Sequence, residues 1–146
     1  MTDVEQFFQA MNRFRRLRMP ERLGLLPRAE HILLEMIRRG ENEDGTPLNA
    51  ACMARQMHIS APAVSRTMRR LRERGYITVD PDPEDRRLMR AQVTPEALER
   101  MQNDRRKMDA LVSGAFSQLA PGEAEQFFRT FERLCAAMEE EFKNIP

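Results

Sequence analysis

At 146 residues, 41% of them hydrophobic and 32% charged, the chain has the size of one domain that buries roughly two thirds of its unfolded surface. Only 6% of it is aromatic, Trp is absent, and the wealth of Leu, Met, Ala, Arg and Glu favours a mainly α fold. A net charge of +1 is uninformative until the chain is divided; no run approaches the roughly 20 apolar residues of a membrane span, and the start lacks a secretory pattern, so a soluble cytoplasmic protein is expected.

Val4, Phe7, Phe8, Met11, Phe14 and Leu17 recur at helical spacing, with Arg13, Arg15, Arg16 and Arg18 on or beside the other face, which predicts an amphipathic helix from about residue 3 to 19. Leu26-Pro27 opens a second helix, because Pro is tolerated in a first turn; Ile32, Leu33, Met36 and Ile37 form its apolar stripe before Gly40. The polar run from Glu41 to Thr46 is a loop.

Leu48 to Met57 reads as a short helix and His58-Ile59 as a turn. Ser60 is the natural N-cap of the next helix, since its hydroxyl can accept a free backbone N–H, and that helix ends near Gly75. Tyr76 to Asp80 and Leu88 to Val93 read as paired strands in which Ile77 and Val79, then Met89, Ala91 and Val93, alternate; the proline- and acid-rich stretch between them is a hairpin loop. Thr94-Pro95-Glu96 supplies a cap, a first-turn Pro and an acid at the positive end of the helix dipole, so a long helix starts there. Leu98, Met101, Met108, Leu111, Val112 and Phe116 mark its apolar side, Pro121-Gly122-Glu123 interrupts, and a last helix carries Phe127, Phe128, Phe131, Leu134, Cys135, Met138 and Phe142.

Two short helices, a turn, an arginine-studded second helix and a charged hairpin follow the order of a winged helix-turn-helix. The charge distribution agrees, with an excess of +4 in residues 48–93, none in 1–47 and −3 in 94–146. On the helix from Ser60, a step of about 100° per residue places Val64, Met68 and Leu71 on a packing face and Pro62, Ser65, Arg66, Arg69 and, at the edge, Arg70 on the other. The first turns of a recognition helix approach base edges most closely, so Ser60 as cap with Ala61, Pro62, Ser65 and Arg66 are the sequence-reading candidates, and Arg69, Arg70 and Arg72 the phosphate-holding ones. A merely solvated face is the competing interpretation. Glu73 is the single acid there, however, where an exposed helix would interleave signs for i, i+4 pairing.

Over nearly its whole length the chain resembles the MarR family of bacterial transcription regulators. The resemblance rests on Leu48 to Ile59, on Ser60-x-x-x-Val64-Ser65-Arg66 with Leu71 and Gly75-Tyr76-Ile77, and on Asp82-x-x-Asp85-Arg86-Arg87. Glu84 stands where the wing often has another Arg, and Ala97 where a Gly is common. The resemblance implies one MarR-like domain over 1–146, comprising a winged helix-turn-helix lobe at 27–94 and dimerisation helices at 1–26 and 95–146. It also supports Arg87 entering a minor groove with Asp85 orienting its guanidinium, while Arg86 is as well explained by an idle ion pair as by a phosphate contact.

The expected partners are double-stranded DNA, a second copy of the chain, and a small aromatic or phenolic effector bound between lobe and dimerisation helices. Arg16 and His31 stand as candidates for that crevice. Cys52 and Cys135 lie in apolar surroundings where a thiol is usually inert. No catalytic constellation, metal-ligand cluster or cofactor loop is legible. The competing function is a winged-helix adaptor that offers its basic helix to an acidic protein.

Overall fold

The computed structural model describes residues 1–40, 49–84 and 89–146. Helix α1 (Asp3–Arg16) is opened by a reciprocal cap: the Thr2 hydroxyl accepts the Glu5 N–H at 3.2 Å and the Glu5 carboxylate accepts the Thr2 N–H at 2.8 Å. The helix expected to run to residue 19 stops short, and a separate turn, α2 (Met19–Leu23), follows it. Pro20 is the reason. Continued as one helix it would lack an N–H and press its ring on the Arg16 carbonyl, whereas near the start of a new helix it is tolerated. Arg18 makes the break by adopting the left-handed conformation at φ 47°.

Helix α3 (Arg28–Arg39) ends at Gly40 as expected, but Pro27 is its N-cap rather than a first-turn residue, and the buried stripe takes in Leu34 while Ile32 and Met36 are only half-buried. Helix α4 (Ala50–Met57) is capped by Asn49, whose side chain accepts the Cys52 N–H at 2.9 Å; the expected start at Leu48 and the 41–46 loop lie outside the described residues. His58 closes α4 at φ 54°, a left-handed position that His tolerates better than most residues. Ser60 then caps α5 (Ala61–Glu73) by accepting the Ala63 N–H at 3.2 Å. Gly75, at φ 74°, turns the chain into the hairpin, and an L side chain there would be strained.

Strands β1 (Ile77–Pro81) and β2 (Met89–Val93) pair antiparallel, with Ile77 opposite Val93 and Val79 opposite Ala91, so these apolar residues of both strands share one face. Thr94 caps α6 (Pro95–Phe116) by accepting the Ala97 N–H while its own hydroxyl donates to the Gly75 carbonyl at 2.7 Å. Helix α7 (Glu123–Phe142) follows Gly122.

The chain divides into two compact units, Met1–Arg106 and Lys107–Pro146, with α6 running from the first into the second. The core of the first unit collects Leu33, Leu34 and Ile37 of α3, Met53 and Ala54 of α4, Val64 and Leu71 of α5, Ile77 of β1, and Ala97 and Met101 of α6. In the second unit Phe116, Phe127, Phe128 and Phe131 form a chain of ring contacts, Phe116 stacking on Phe128 with centroids 5.1 Å apart. No residue of α1 or α7 is buried.

Candidate nucleic-acid interface

Helix α5 is fixed from below and open above. Val64 and Leu71 are fully buried, Thr67 is nearly so and Met68 half-buried, whereas Ser60, Ala61, Pro62, Ser65, Arg66, Arg69, Arg70 and Arg72 are all exposed. The 100° step therefore placed the two faces as the residues themselves do. It omitted Thr67, whose type is polar but whose position, three after Val64 and four before Leu71, lies on the packing stripe; its hydroxyl donates to the Ala63 carbonyl at 3.0 Å and needs no other partner in the core.

The side chains of Arg66, Arg69 and Arg72 have no ion-pair or hydrogen-bond partner among the described residues. Arg70 differs. Its Nη2 donates to the Thr67 hydroxyl at 3.2 Å and its Nε lies 3.7 Å from a carboxylate oxygen of Glu30 on α3. Arg74, just past the end of α5, places one nitrogen 2.9 Å from both Glu30 oxygens and its guanidinium 4.9 Å from the centre of the Tyr76 ring. Glu30 was not singled out from the sequence. The signal was present, because an acid at the head of the Glu30, Leu33, Leu34, Ile37 stripe has to be buried, and a buried carboxylate needs a cation.

A second buried acid holds the start of α3. Asp104 on α6, only 6% exposed, accepts the Leu26 N–H at 2.8 Å and the Arg100 Nε–H at 3.0 Å, while Arg100 also donates to the Gly24 carbonyl at 2.9 Å. The Asp104 hydrogen bond, opposed by some burial and helped by one from Tyr76, raises Arg100 above the ordinary arginine range.

On the wing, Arg90 of β2 pairs with Asp82 at 3.0 Å, and Asp82 also accepts the Glu84 N–H at 2.8 Å. These contacts stiffen the base of the hairpin. The expected tip residues Asp85, Arg86 and Arg87 lie outside the described residues.

Of the effector candidates, Arg16 and His31 are both exposed, and neither lines the concavity of about 570 Å³ formed in the second unit by Phe116, Leu119, Glu123, Gln126, Phe127 and Thr130. Cys52 and Cys135 are half-buried and unbridged; Cys52 is not wholly in apolar surroundings, since Arg55 Nη2 reaches its sulfur at 3.1 Å. Among the described residues no cluster of His, Cys, Asp or Glu suits a metal ion, and no helix is long and apolar enough to cross a membrane.

The family model of the MarR family matches residues 24–88, the stretch from the end of α2 to the wing. Over those residues the chain is similar to the MarR family. The likeness of fold extends well beyond those residues in solved structures. A single-residue variant of MepR from S. aureus matches with a TM-score of 0.75 at 18% identity, over 94% of this chain and 99% of that one. Streptococcus pneumoniae FabT in complex with DNA gives 0.72 at 14%, over 94% and 99%, and YusO from Bacillus subtilis gives 0.70 at 21%, over 92% and 94%. Identities this low carry the fold, not the ligand or the operator. A sequence comparison with curated proteins returns no match.

Proposed function

We propose that the protein is a homodimeric, sequence-specific DNA-binding transcription regulator, a repressor acting in the cytoplasm, whose two copies of α5 enter successive major grooves of a pseudo-palindromic operator. The half-sites would lie about one helical turn, ~10 bp, apart. The observation that carries this reading is the outer face of α5: Arg66, Arg69 and Arg72 stand exposed and without partners among the described residues, on a helix whose other side is anchored by Val64 and Leu71. Unpaired guanidinium groups on a rigid helix suit guanine edges and phosphates, and they release counterions when they bind.

In this reading the N-terminal turn, with Ser60, Ala61, Pro62, Ser65 and Arg66, meets base edges. Arg69 and Arg72 hold phosphates, and Asp85, Arg86 and Arg87 serve the wing. The lobe is taken as 27–94, with 1–26 and 95–146 supplying the dimer. Exposed apolar side chains support that division: Phe8 is 59% exposed, Phe128 52% and Phe142 69%, a pattern that a solvated monomer would not sustain. A small aromatic or phenolic effector, with Arg16 and His31 as candidate contacts, would alter operator affinity only by binding two conformations unequally. The output is transcription from the bound site rather than a chemical reaction, and no cofactor is assigned.

The test is a gel shift of the full chain on the promoter fragment beside its own gene. Salt-sensitive binding that survives excess random duplex supports the regulator. Absence of binding to any duplex removes it in favour of the adaptor, which would then retain an acidic protein partner.

A further inference from the structure

Arg70 sits on the exposed side of α5 between Arg66 and Arg74, yet among the described residues it is the one arginine of the outer face that the fold itself holds. Its guanidinium is tethered at both ends, by the Thr67 hydroxyl at 3.2 Å and by Glu30 at 3.7 Å. The Glu30 side chain is only 4% exposed, against 56% for Arg70 and 41% for Arg74. A carboxylate so buried is poorly screened by salt and keeps its cations, unlike an ordinary surface pair. One negative charge thus faces two guanidinium groups, and of the two arginines only one positive charge is left over.

We infer that Glu30 is a positioning residue that sets how many cations α5 offers to DNA: it turns Arg70 back towards α3 and takes it out of the set that neutralises phosphates. This rests on the DNA-binding reading above and corrects the expectation that Arg70 is a phosphate contact like Arg69 and Arg72. A phosphate competing for Arg70 must displace a buried carboxylate and a hydroxyl. A phosphate at Arg69 displaces only water and counterions. Restraining one arginine has a use: each extra phosphate contact strengthens binding to every sequence alike, so withholding it protects the ratio of specific to nonspecific affinity.

The experiment measures the affinity of the full chain for a random-sequence duplex as a function of salt, for the wild type, Glu30→Gln, Arg70→Gln, Arg69→Gln and the Glu30→Gln/Arg70→Gln pair. Each freed or lost phosphate contact changes the logarithmic salt slope by about 0.9, which is roughly a threefold change in affinity across a fourfold change in salt. Glu30→Gln is expected to steepen the slope by about that amount, and the double variant to return to the slope of Arg70→Gln. In the otherwise native chain, Arg69→Gln should flatten the slope by about one contact and Arg70→Gln by much less.

A purely structural clamp would lower the melting temperature of Glu30→Gln without steepening its slope, so a folded Glu30→Gln with the native slope overturns the inference. If Glu30→Gln does not fold, the comparison of Arg70→Gln with Arg69→Gln decides alone, and equal flattening overturns it. A wild type that binds no duplex overturns the regulator reading and this inference with it, whereas binding with unchanged slopes overturns only the inference.

Discussion

The carboxylate of Asp104 accepts the backbone N–H of Leu26 at 2.8 Å across 78 residues of sequence, so that the middle of α6 caps the loop from which α3 departs. Arg100, one turn earlier on α6, secures the same loop through the Gly24 carbonyl.

Replacing Asp104 by Ala leaves a buried N–H and the Arg100 guanidinium without their acceptor, and should cost about 1–3 kcal/mol. Asp104→Asn keeps an oxygen for Leu26 but loses the charge beside Arg100, and should cost less. Urea denaturation of the three proteins gives the order, and an Ala variant as stable as the native protein would show that the clasp contributes nothing.

On the proposed DNA-binding function, Arg66 meets base edges and Arg69 a phosphate. Arg66→Ala should reduce discrimination between the operator and single-base variants at one position of each half-site by about 1–3 kcal/mol. Arg69→Ala should weaken binding to all duplexes about equally. Competition binding on a panel of substituted operators distinguishes the two, and identical profiles for both variants would mean that α5 enters the groove in another orientation.

Phe142 is 69% exposed near the end of α7 and makes no ring contact within its own chain among the described residues. Phe142→Ala therefore takes little from the folded unit and acts mainly on the proposed dimer. Burying a Phe is worth about 1.5–3 kcal/mol, and two-fold symmetry counts it twice, so dissociation should rise on the order of a hundredfold or more. Sedimentation at decreasing concentration reads the shift; an unchanged monomer–dimer equilibrium would place the interface elsewhere.

Glu35 is held below its usual value of 4.5 by its hydrogen bond to Arg38, against a smaller effect of burial. A lowered carboxylate stabilises the folded state fully above the unfolded value and loses that contribution as pH falls through the lower folded one. Stability should accordingly decline below about pH 4.5, and Glu35→Gln should remove a small part of that decline. The effect is modest because this pair is largely in solvent. Melting curves between neutral and acidic pH, compared for both proteins, show it as a difference in slope.

The helix-turn-helix was legible because its determinants are local. Ser60 as cap, the Val64 to Leu71 spacing, Gly75 and the alternation of Ile77 with Val79 each act within a few residues, and each is where the periodicity put it. Pro20 was equally visible, yet the helix before it was drawn to about residue 19 rather than Arg16, because apolar periodicity continues on paper up to a proline whose effect is felt a turn earlier in space.

What the chain order alone determined, then, is which segments become helix or strand and which side of α5 is apolar, since backbone sterics and burial period operate over a turn or two. The partners of Glu30 and Asp104 were decided only by tertiary structure. Arg74 is 44 residues from the first and Leu26 is 78 from the second, and no local rule chooses among the chain's 22 arginines. Desolvation makes that choice: once packing buries a carboxylate, the cation or N–H that the fold brings within reach is the one it keeps.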